Sequence, residues 1–138
     1  EITESAAYES LEVLTKVFKK LKSLGFHISI DDFGSGYSSL NMLKDLPADV
    51  LKIDRAFLTE SVNNKRANDI IAYVIKMAGS IGMDTICEGV ESDEQITLLK
   101  DLHCDMVQGY YYARPMPTHG FEEILKGKHE TIRINKEN

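Results

Sequence analysis

No apolar run in the 138 residues approaches the ~20 that a membrane-spanning helix needs. No secretory leader pattern opens the chain. The sequence starts at Glu1, without Met, in what reads as the end of an element, so the true amino terminus is expected elsewhere. Cysteine is scarce. Cys87 and Cys104 each lie in an apolar run and read as reduced, buried thiols of a reducing compartment. There is no Cys-x-x-Cys and no glycine-rich phosphate loop after a first strand, which leaves a small redox or nucleotide domain without support. Linkers, internal repeats and low-complexity stretches are missing too. His27, His103, His119 and His129 lack ligand spacing and read as surface or core residues. Positive charge is short: 16 Lys and Arg stand against 22 Asp and Glu, a net charge of -6. That argues against DNA binding, which needs a basic surface. An acidic pocket can still bind a nucleotide if metal ions stand between the anions.

What is present is ordinary in bulk, with 43 % hydrophobic and 28 % charged residues, and long enough for one domain with a real core. Ser5 can cap a helix in which Ala7, Leu11, Leu14, Phe18 and Leu21 recur at helical spacing, with Gly25 as the stop. A coiled coil would need a longer heptad run. Residues 26–31 read as a strand by alternation and β-branching. A short helix is expected over Ser38 to Leu46, closed by Pro47, and a strand over 49–53. A helix over Asn68 to Ile81 and a strand over 84–88 follow. Ser92, with Glu94 and Gln95 behind it, caps a helix through Leu102. A strand over 104–109 and a last helix near Gly120 to Leu125 complete the order. Residues 128–138 read as a polar tail. Strand and helix alternating four times imply a parallel sheet with crossover helices. A closed eight-stranded barrel takes about 250 residues. Periodicity alone therefore leaves a small open sheet and a partial barrel both open.

Reactive side chains gather where strands end. Asp31-Asp32 precede Gly34-Ser35-Gly36, Asp54 follows Leu51-Lys52-Ile53, and Glu88 and Gln108 each precede a glycine. Active sites of β/α barrels are built at those ends. Adjacent carboxylates repel, and a cation usually offsets that. Asp31 and Asp32 could instead cap the helix near Ser38, but a cap needs one carboxylate. Lys52 could extend its stem along apolar surface, pair with Asp54, or pair with Glu88. Gln108 alone reads as a solvated amide, and Tyr110, Tyr111 and Tyr112 as core and rim or as a stacking wall.

Taken in order, Asp31-Asp32-Phe33-Gly34-Ser35-Gly36-Tyr37-Ser38-Ser39-Leu40, Leu51-Lys52-Ile53-Asp54-Arg55, Glu88-Gly89-Val90-Glu91, Gln108-Gly109-Tyr110 and Arg114-Pro115 resemble the EAL family. Five motifs in the right order are a strong signal over residues 1–117. Members are bacterial phosphodiesterases that open cyclic di-GMP to linear pGpG. The resemblance implies a modified TIM-type barrel, of which residues 1–127 look like the carboxyl-terminal part, with four to five parallel strands and crossover helices.

It further implies a site with two divalent ions, Mg²⁺ or Mn²⁺, since hard oxygen ligands suit them. Two such ions about 3.5–4 Å apart activate water and neutralise phosphoryl oxygens. By resemblance, Glu1, Asp31, Asp32 and Glu88 are metal ligands, and Lys52 orients or helps deprotonate the water. Glu88 also serves as a base. Asp32, Gln108, Tyr110 and Arg114 face the substrate, with Gln108 holding water near the ions. Glu4 braces the loop after Phe33. A glutamate and an asparagine from the family's first half complete the site, so this chain alone is expected to be inactive. The alternative is a degenerate EAL domain that binds cyclic di-GMP as a receptor or interaction module. The implied setting is cytoplasmic, in a parent that can carry sensory or cyclase domains or a membrane-bound sensor. A homodimer is expected, with the helix 68–81 as its candidate surface.

Overall fold

The protein is described by a computed structural model covering residues 1–3, 6, 11–35, 40–61 and 64–126. Five strands form one parallel sheet in chain order: β1 (Ile2–Thr3), β2 (Ser29–Phe33), β3 (Val50–Ile53), β4 (Asp84–Cys87) and β5 (Met106–Val107). The helices are α1 (Leu11–Ser23), α2 (Leu40–Asp45), α3 (Arg55–Ser61), α4 (Lys65–Ser80), α5 (Asp93–Asp101) and α6 (Thr118–Leu125). Parallel neighbours require crossovers, and the helices supply them. The sheet does not close on itself, with β1 and β5 at its two edges. The alternation implied the parallel sheet, and this is the partial barrel that the resemblance implied. Among the described residues no helix is long and apolar enough to cross a membrane.

Apolar side chains of the strands meet the helices in two clusters. One joins Ile30 and Leu51 to Phe18 of α1, Met42 of α2 and Ala78 of α4. The other joins Ile53 and Cys87 to Leu58 of α3, Ile71 of α4 and Leu99 of α5. Each fully hidden Leu or Ile contributes about 1.5–3 kcal/mol.

Several boundaries differ from the sequence reading, each for a local reason. The second strand starts at Ser29, not at 26. Gly25 adopts φ +86, and the Phe26 amide donates back to the Leu21 carbonyl, so this stretch ends the helix instead of starting the strand. α4 starts at Lys65 because the Asn64 side chain accepts from the Arg66 and Ala67 amides. β5 is two residues, not six, because the chain turns after Val107. α3 was not expected at all. α6 begins at Thr118, two residues before Gly120. The capping box at Ser92 and Gln95 is present as read. Ser5, Ala7, Ser38, Ser39 and the tail 128–138 lie outside the described residues.

The amino ends of the strands are tied by aspartates. Asp49 accepts from the Ile28 amide at 2.8 Å and from Lys22 Nζ at 2.6 Å, while its own carbonyl accepts from the Asp84 amide. Asp105 accepts from both the amide and the hydroxyl of Thr85. Structure is thus secured at one end of the sheet, leaving the carboxyl ends for chemistry.

Burial alone would raise the Asp49 pKa, but the Lys22 ammonium and the Ile28 amide outweigh it and hold the carboxyl below its ordinary value of 3.8. The unfolded chain then binds the proton more tightly, so this stabilisation is complete at neutral pH. It is lost as pH falls below that value and through the lowered one. Asp49→Asn should cost about 1–3 kcal/mol in urea unfolding at pH 7. The difference from the parent should shrink towards pH 3. A gap that does not change with pH would contradict this role.

Candidate active site

The register between β2 and β3 shifts at one place. Ile30 pairs with Leu51 and Phe33 with Ile53, so β2 carries one extra residue between these pairs. That residue pair is Asp31-Asp32, and Asp32 sits at φ +57, in the left-handed region. In a regular strand two successive side chains point to opposite faces. A bulge re-aims them. Here it lets both aspartates converge with Glu88 at the end of β4. One carboxylate oxygen from each of Asp31, Asp32 and Glu88 lies within 4.8 Å of the others.

Lys52 alternates with Leu51 and Ile53 on β3 and lies opposite their helix-packed face. Its side chain is 8 % exposed, and its Nζ lies 2.8 Å from Glu88 Oε1, 2.9 Å from Asp31 Oδ1 and 3.1 Å from Glu1 Oε1. Burial pulls its pKa down, but the hydrogen bonds that Lys52 donates to Asp31, Glu88 and Glu1 prevail and hold it above the ordinary lysine value. Lys52 is therefore a protonated donor. Asp54 does not pair with Lys52. It accepts from the Ala56 amide at 2.8 Å and so starts α3.

Glu1, Asp31, Asp32 and Glu88 outnumber the single ammonium, leaving local negative charge that a divalent cation would neutralise. Each carboxylate has two oxygens, so Lys52 and a cation can share them. The hard-oxygen set fits Mg²⁺ or Mn²⁺. Glu1 is the loosest member: its side chain is 60 % exposed and it stands outside the three-residue group.

A cleft of about 220 Å³ opens beside Glu88, lined by Asp54, Arg55, Gly89, Glu91, Gln108 and Tyr110. Its far wall is set by a tight wrap. The Val90 amide donates to the Gln108 carbonyl and the Tyr111 amide to the Val90 carbonyl. A side chain at Gly109 would lie 2.1 Å from the Val90 carbonyl oxygen, so only glycine fits. The wrap turns Gln108 and Tyr110 towards the cleft. Arg114 lies over the Tyr110 ring at 4.5 Å. Tyr111 and Tyr112 meet edge to face and pack on the apolar core. Of the three tyrosines, only Tyr110 belongs to the cleft.

The site residues read from the sequence thus fall into one region, except Glu4, which lies outside the described residues. The sequence reading missed Arg55 and Glu91 as cleft residues. Both sit inside quoted motifs, and their place next to Lys52-Ile53-Asp54 and Glu88-Gly89 was the available signal.

Known proteins resemble this chain in sequence and fold. The family model for the EAL domain matches residues 1–115. The cyclic di-GMP phosphodiesterase NbdA of Pseudomonas aeruginosa is 40 % identical over 126 residues, which cover 91 % of this chain and 16 % of NbdA. The crystal structure of the EAL domain of Mycobacterium smegmatis DcpA superposes with a TM-score of 0.85 at 36 % identity, covering 91 % of this chain and 56 % of that one. Klebsiella pneumoniae BlrP1, solved as a manganese and cyclic di-GMP complex, superposes at 0.77 and 30 % identity, over 82 % of this chain and 29 % of that one. The chain spans about a sixth of the length of NbdA and just over half of the DcpA domain. The chain belongs to the EAL domain family.

Proposed function

We propose that this chain is the carboxyl-terminal part of an EAL domain that hydrolyses cyclic di-GMP to linear pGpG with divalent metal ions. The observation that carries the proposal is the convergence of Asp31, Asp32 and Glu88 around Lys52. Support comes from the relatives: NbdA is named for this activity, and BlrP1 was solved with manganese and the nucleotide.

In the proposed mechanism Asp31, Asp32 and Glu88 would hold the ions, with Glu1 as a further ligand. Bound there, the ions would lower the pKa of water and neutralise phosphoryl oxygens. The chemical step is in-line attack of water oxygen on phosphorus with cleavage of the P–O3′ bond. The water proton would go to the Glu88 carboxylate, and the departing 3′-oxygen would take up a proton from bulk water. Lys52 donates to negative charge that grows on the phosphoryl oxygens, and its burial makes that donation strong. Gln108 holds water by its amide, and Tyr110, backed by Arg114, offers a flat face for guanine. The activity is that of the complete domain, and the chain by itself is inactive.

Three outcomes check this in the full-length protein. With Mg²⁺ or Mn²⁺ it should convert cyclic di-GMP to pGpG, and chelation should abolish the reaction until metal is restored. Nucleotide binding without product would indicate the receptor class instead. Glu88→Gln should lower kcat by about 10²–10⁴-fold. Asp32→Asn should weaken Mn²⁺ binding, read by paramagnetic resonance. Unchanged values for both variants would remove the site assignment.

A further inference from the structure

α3 shows little periodicity, yet its first turn touches both strand ends that carry the site carboxylates. On one side the Phe57 ring fills the space a side chain at Gly34 would occupy: a Cβ there would meet Phe57 Cε2 at 1.5 Å. Gly34 is two residues past Asp32 and adopts φ +95. On the other side Arg55 lies against Gly89, where a Cβ would come within 2.4 Å of the Arg55 Cβ. Gly89 follows Glu88 directly and adopts φ +69. Both contacts are closer than any other residue allows, so each glycine serves as a seat for α3.

The turn is itself anchored. Asp54 caps it through the Ala56 amide, and the Phe57 amide donates to the Asp54 carbonyl. The Asp54 amide donates to the Phe33 carbonyl at 3.1 Å, tying the start of the turn to the last residue of β2. Phe57 also packs on the apolar cluster that holds Leu58 and Ile71. The turn after β2 has its own tie, from the Ser35 amide to the Asp32 carbonyl. Left-handed Asp32 stores strain of the order of 1–2 kcal/mol, which the surroundings must hold in place.

We propose that the first turn of α3 is a wedge that sets the spacing between Asp31-Asp32 and Glu88, with Phe57 as its positioning residue. The ring acts through Gly34 on the aspartates and stands outside both the carboxylate group and the cleft lining. This rests on the metal-ligand reading above, but the seat itself is independent of it. Groups that orient metal ligands from behind typically change metal affinity 10–100-fold when altered.

The test uses the full-length protein and two readouts. The first is amide hydrogen exchange without metal. Phe57→Ala should speed exchange at the Ser35 and Asp54 amides, while amides inside β3 and β4 keep their parent rates. The second is Mn²⁺ affinity by paramagnetic resonance, expected to fall at least tenfold. A further variant separates the wedge from lost packing. Gly34→Ala should weaken Mn²⁺ binding more in the parent than in the Phe57→Ala background, since the smaller residue vacates the seat.

Unchanged exchange at Ser35 and Asp54 overturns the wedge, whatever the metal does. Uniformly faster exchange overturns it too, as simple loss of stability. Selective exchange with unchanged Mn²⁺ affinity overturns its positioning role. If the parent protein binds no Mn²⁺, selective exchange with coupling of Gly34→Ala and Phe57→Ala in that exchange upholds the wedge, and the metal reading falls alone.

Discussion

Everything at the carboxyl end of this sheet depends on one buried ammonium. Lys52 has almost no access to water, and an ammonium so placed is stable only with charged partners. Glu1, Asp31 and Glu88 supply them from three different strand regions, within 2.8 to 3.1 Å. The dependence is mutual. Without the ammonium, carboxylates this close would repel and some would take up protons. One lysine on β3 therefore makes it possible for acids from β2 and β4 to share a small volume. The excess of carboxylates over ammonium is what makes the same cluster a receptor for cations.

The backbone meets that requirement by two departures from regularity. The extra residue in β2 turns Asp31 and Asp32 to the same side, and left-handed Asp32 is its cost. The close seating of α3 on Gly34 and Gly89 holds both ligand-bearing ends against their neighbour. At the opposite end of the sheet Asp49 and Asp105 bind strand starts through ordinary hydrogen bonds, and left-handed His103 lies in the turn before β5. Stability and chemistry occupy opposite ends, as in other β/α barrels.

Much of this was legible in the sequence because local signals agreed with the fold. Alternation of strand and helix implied a parallel sheet, and the Ser92 to Gln95 spacing marked a helix start that the structure shows as a capping box. Carboxylates before glycines marked the strand ends, and Lys52, Asp31, Asp32 and Glu88 were all singled out. Three features stayed hidden. The bulge depends on where β2 pairs with β3, which no local pattern of β2 encodes. α3 is seven residues long and shows little periodicity, although Asp54 ahead of it is a good capping residue. The alternating look of 104–109 suggested a longer strand, but the wrap of Gly109 around Val90 ends pairing at Val107. In each case a contact from another part of the chain overrode local preference.

The most direct measurement is anomalous scattering from crystals of the complete domain grown with Mn²⁺. The account predicts a manganese peak within coordination distance of Asp31, Asp32 and Glu88, with Lys52 still beside the carboxylates. Manganese bound elsewhere, or a fully loaded soak that leaves these three carboxylates without a peak, would contradict it.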